Sequence, residues 1–117
     1  DNYNGDSFAD FLKDEDISMA TVALQGAKSE LDIASLELAE QDKIASQYLT
    51  EFSQNISNFA QGINKFASSY KKLDADYGNL KEEYQELIYS LRGQLPNKNQ
   101  LKDTEKKLEQ IKQVVQK

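Results

Sequence analysis

Residues 52–87 read "FSQNISNFAQGINKFASSYKKLDADYGNLKEEYQEL", and an apolar side chain recurs through them every seven positions without a slip. Phe52, Phe59, Phe66, Leu73, Leu80 and Leu87 make one column; Ile56, Ile63, Tyr70, Tyr77 and Tyr84 make the other. Two columns repeating at 3.5-residue average spacing are the mark of helices that bury one seam against another helix. The spacing predicts one long helix over about 45–92, continuous through Gly62 and Gly78. Each glycine costs about 1 kcal/mol relative to alanine, and burial of the flanking rings exceeds that.

Working outward, the N-terminal flank carries a second stripe: Ile17, Ala20, Leu24, Ala27, Leu31, Ala34 and Leu38. Its phase changes across "EQDK", residues 40–43, which hold no apolar side chain. Two alternatives fit. The helix runs on from 17 to 92 with a stutter, or the chain reverses near residues 40–44. Reversal about residue 43 sets Ala34 against Phe52, Ala27 against Phe59 and Ala20 against Phe66. Small facing large is what a filled seam needs. On the C-terminal flank, "RGQLPNKNQ" (92–100) combines glycine and proline in a polar setting, a stop and restart. Folding about residue 96 sets Tyr84 against Leu108 and Tyr77 against Val115.

The expected fold is therefore all-α: an elongated antiparallel helical bundle or coiled-coil hairpin with one long central helix. A flexible segment, 1–16, precedes a single helical domain, 17–117, with helices at about 17–40, 45–92 and 98–116. Asp14 and Asp16 are placed as caps for the first helix. The tyrosines are read as core, with rings buried and hydroxyls at the rim.

Composition narrows function mainly by exclusion. The 117 residues contain no Cys and no His, which removes thiolate zinc sites, disulfides and imidazole bases. "DEDISMATVALQ" (14–25) has calcium-loop oxygens at Asp14, Asp16 and Ser18, but Met19 and Gln25 stand where glycine and the bidentate glutamate are required. "NYNGD" (2–6) is read as loop. No phosphate loop or nucleophile elbow occurs, the carboxylates fall off the apolar stripes, and neither cofactor nor metal is expected.

The net charge of −6 is unevenly spread: residues 1–42 hold eleven acids against two lysines, and residues 98–117 hold six lysines against three acids. An acidic whole disfavours nucleic acid and anionic membrane as partners. The lysine-rich end is read as a wet helix face beside an acidic neighbour.

One excess remains. Met19, Val22, Gly26, Ser29, Ile33 and Leu36 form a further stripe on the first helix. A helix apolar on two faces is either central in a bundle or shared with a partner. Met19, Val22, Ile33 and Leu36 are thus the predicted partner-binding residues, for a protein partner or self-association; the alternative is that Phe8, Phe11 and Leu12 fold back over part of the stripe.

The expected role is a non-enzymatic interaction or scaffold module of an exported or envelope-attached, lipoprotein-like bacterial protein. It would touch a membrane only through an anchor upstream, and its expected location is extracellular or cell-envelope, with cytoplasmic as the alternative. The other readings are an extracytoplasmic helical sensor, for which Ser35 and Asp42 are the polar gaps in the seam, and a cytosolic or phage assembly component.

Overall fold

The computed structural model describes residues 14–66, 68–91 and 101–115. They form four helices and no strand: α1 (Asp14–Leu38), α2 (Lys43–Lys65), α3 (Tyr70–Ser90) and α4 (Lys102–Val115). Packing runs round a ring, α1 on α2 and α4, α2 on α3, α3 on α4. Cross-helix contacts show that neighbours are antiparallel. Ser35 meets Ser46 while Asp32 meets Ser53; Phe52 meets Tyr84 while Phe59 meets Tyr77. This is an all-α antiparallel bundle.

The reversal between α1 and α2 is present, so the continuous 17–92 helix is excluded. Asp42 caps α2, its carboxylate accepting from the Ala45 N–H at 3.0 Å, while its own N–H closes α1 on the Leu38 carbonyl at 2.7 Å. An Asp side chain can replace the missing turn of helix, so no glycine or proline is required. Asp14 and Asp16 lie inside the first turn of α1 rather than before it. The calcium-loop reading of 14–25 ends there, because that whole stretch is helical. Residues 2–6, the fold-back of Phe8, Phe11 and Leu12, and the predicted stop at 92–100 lie outside the described residues.

The single long helix over 45–92 is wrong. The chain reverses at 66–69, four residues beyond Gly62, and both Gly62 and Gly78 sit inside intact helices. Phe66 ends α2 with its N–H on the Gly62 carbonyl at 2.8 Å; Ser69 starts α3, its hydroxyl accepting from the Lys72 N–H. The heptad count hid this turn because the four residues 66–69 replace a helical turn without shifting the column from Phe66 to Leu73. A folded seam and a straight one then share one sequence pattern.

The fold-back also accounts for the aromatic character of the seam. The Phe column of α2 faces the Tyr column of α3, with ring centroids 5.5 Å apart for Phe52–Tyr84 and 6.3 Å for Phe59–Tyr77, both tilted. Ala20, Leu24, Ala27, Leu31, Ala34 and Leu38 complete the core from α1, and Leu101, Leu108 and Ile111 from α4.

Two further expectations need correction. Tyr84 and Tyr77 do not send their hydroxyls to the rim. They donate to the Leu101 carbonyl at 3.3 Å and the Leu108 carbonyl at 3.1 Å, inside the α3–α4 contact. These partners stand one heptad earlier in α4 than the pairing about residue 96 requires. The buried hydroxyl needs an acceptor, and that requirement shifts the register.

Candidate partner-binding face

The inward stripe of α1 is taken up by the fold: six of its seven residues are at most 2% exposed, and Ile17 at its N-terminal end is half-buried. The second stripe is not. Met19, Val22, Ile33 and Leu36 are between 58% and 77% exposed. At 100° per residue, Val22, Ile33 and Leu36 point away from the bundle axis, and Met19 lies toward α4. The structure therefore brings the four predicted residues onto one continuous outer surface of α1, with half-buried Gly26 and exposed Ser29 between the two apolar pairs.

At the Met19–Val22 end this surface opens into a groove of about 970 Å³ between α1 and α4. Ala20, Ala23 and Gly26 form its floor on α1, and Ile111 and Gln113 its far wall. Small side chains on α1 leave the space. Lys107 crosses it: a Cβ placed on Gly26 would stand 2.7 Å from the Lys107 Cε, so the lysine stem lies directly on the glycine.

α4 is held against α1 by an unusual cap. Glu30 accepts hydrogen bonds from both the N–H and the hydroxyl of Thr104, the third residue of α4, so a carboxylate on one helix caps another. The lysine-rich end does lie beside the acidic helix, as expected. Among the described residues a direct polar link between them is Glu30 to Thr104, and an ion pair within α4 joins Lys112 to Glu109 at 3.9 Å.

The charges around the stripe are mostly acidic. Glu15, Glu37 and Glu40 are exposed. Lys28 is taken up by Asp32 at 2.8 Å. Burial opposes ionisation of Asp32, but hydrogen bonds from Lys28 and Ser53, with the Lys28 charge, outweigh it and hold the carboxyl below its usual value.

Ser35 and Asp42, the polar gaps that favoured a sensor, have structural roles. Ser35 Oγ meets Ser46 Oγ and Thr50 Oγ1, each at 2.8 Å, bridging α1 and α2; Asp42 is the α2 cap. Among the described residues no three acids converge to hold a metal ion, and no helix is long and apolar enough to cross a membrane. Burial first, and then Glu86, pushes the Glu83 carboxyl up.

Sequence reasoning missed a second group of exposed apolar side chains: Ile44 and Tyr48 in α2, Ile88 and Tyr89 in α3. Antiparallel pairing puts the start of α2 and the end of α3 at the same end of the bundle, near Leu36. Their signal was available, since all four fall off the heptad columns.

No protein-family model matches the chain, and neither does any curated protein or solved structure.

Proposed function

We propose that this chain is a non-enzymatic helical interaction module, a stiff bundle that presents the outer face of α1 to a partner helix. One observation carries the reading. α1 has two apolar faces; the fold uses one completely and leaves Met19, Val22, Ile33 and Leu36 in water. A helix laid along that face would bury those side chains between ridges of its own, the usual helix-to-helix mode of recognition.

The setting we propose is an exported or envelope-attached bacterial protein. A fold made without cysteine is indifferent to the redox state of its compartment, which is compatible with that setting.

The test is Val22→Glu with Leu36→Glu in the full chain. Circular dichroism should keep the parent helicity, because both positions are exposed. Sedimentation velocity, with the chain alone or with a synthetic amphipathic helix bearing a Leu/Ile stripe and Gln flanks, should show association in at least one of the two arms for the parent and in neither for the variant. An interface core cannot hold two unpaired carboxylates. A parent chain that associates with neither itself nor the peptide sinks the reading.

A further inference from the structure

The kind of partner follows from the charges that frame the stripe. Building on the docking role just proposed, we infer that the outer face of α1 receives a foreign amphipathic helix with basic flanks, and not a second copy of this chain.

Self-pairing is tested first by geometry. The stripe is symmetric about the midpoint between residues 27 and 28: Met19 answers Leu36, Val22 answers Ile33, and Gly26 answers Ser29. An antiparallel pair of α1 helices therefore has a good apolar register. That same register brings Glu15 to the end of the second copy's α1, where Glu40 follows in the turn, and sets Glu37 against Ser18. A parallel pair fares no better, since it sets Glu15, Glu37 and Glu40 each against its own equivalent. All three carboxylates are exposed and adjoin the stripe. Lys28 cannot compensate, because Asp32 holds it at 2.8 Å. Glu30 is committed to Thr104. Lys107 is the cation at the margin, and its stem is laid over Gly26, at the middle of the stripe and away from both acidic ends. Like charges in register repel in either orientation, and rim charges select partners more than they add affinity.

A helix whose flanks carry Lys or Arg reverses every one of these terms. Its apolar stripe covers Met19, Val22, Ile33 and Leu36, and its basic flanks meet Glu15 at one end and Glu37 and Glu40 at the other. From Met19 to Leu36 the face runs about 26 Å, which a partner helix of about 18 residues spans. The groove beside Met19 and Val22, floored by Ala23 and Gly26, admits one bulky side chain from that helix. An anionic membrane surface does not fit, because it meets the same carboxylates.

Three synthetic helices of about 20 residues test the inference, alike in their Leu/Ile stripe and carrying Lys, Gln or Glu on the flanks. Fluorescence anisotropy with the full chain at about 50 mM salt should rank them Lys, Gln, Glu, with roughly a tenfold spread that narrows at about 500 mM. Glu15→Lys with Glu37→Lys and Glu40→Lys should reverse the ranking. Val22→Glu with Leu36→Glu should abolish binding of the Lys peptide, although it makes the protein more acidic; a merely electrostatic association would tighten instead. Equal binding of the three peptides overturns the inference and leaves the docking role standing. So does a concentration-dependent dimer of the parent chain that the Val22/Leu36 variant dissolves. Binding that survives the Val22/Leu36 variant overturns both.

Discussion

The bundle closes through two seams of different make. Between α1 and α2, alanines and leucines fill the core and short hydroxyls line the edge: Ser35, Ser46 and Thr50 share hydrogen bonds, and Ser53 donates to Asp32 at 2.7 Å. Between α3 and α4 no such cluster occurs among the described residues. Two tyrosines cross the seam, and each spends its hydroxyl on a backbone carbonyl. A hydroxyl cluster is redundant, since each member has a second partner. A tyrosine on a carbonyl has one partner and fixes the position of a whole helix. Redundancy and single attachment should respond differently to mutation.

The largest effect removes the layer on which both seams rest. Phe59 is buried in α2 against Tyr77 of α3, and Phe59→Ala should cost about 3–5 kcal/mol in chemical denaturation. A loss below about 1 kcal/mol would mean that the two seams stand independently of the aromatic layer.

Next comes the tyrosine seam itself. Tyr84→Phe should cost about 1 kcal/mol, the usual net value of a buried hydrogen bond. It also has a pH signature. Burial, then the charges of Glu105 and Glu30, push the Tyr84 phenol well up, and burial with Glu109 does the same to Tyr77. A raised folded-state value means that the folded protein holds the proton more tightly than the unfolded chain. The stabilisation is therefore complete below the unfolded value near pH 10, declines above it and is lost as pH rises through the higher folded value. Melting temperature should fall above about pH 10, and less steeply in Tyr84→Phe. An unchanged alkaline slope would show that Tyr84 does not close the seam.

The smallest effect should come from the redundant side. Ser35→Ala leaves Ser46 bonded to the Ser35 carbonyl and Thr50 bonded to the Ser46 carbonyl, so no buried group is stranded. About 0.5 kcal/mol or less is expected by thermal melts. A cost equal to that of Tyr84→Phe would erase the contrast.

What the sequence revealed and concealed follows the same physics. The all-α class and the outward stripe were legible because each leaves a period or a surplus in the apolar pattern, while the phase change at 40–43 marked the first reversal without deciding it against a stutter. That Ala20, Ala27 and Ala34 belong to the core was legible from their place in the inward stripe. The reversal at 66–69 was not, because "FASS" fits the heptad count and its one cue, Ser69 two residues before Lys71, resembles ordinary helix surface. The Glu30–Thr104 cap was equally hidden, since 74 residues separate the partners.

That cap has a consequence for the order of events in folding. A helix of 14 residues is marginal by itself in water. The Thr104 amide finds its acceptor on a helix made at the other end of the domain. α4 therefore gains its partners only by condensing onto α1 and α3, which supply Glu30, Tyr77 and Tyr84. During synthesis the ring stays open until residues 102–115 leave the ribosome. The groove beside Met19 and Val22, walled by Ile111, comes into existence only at that last step.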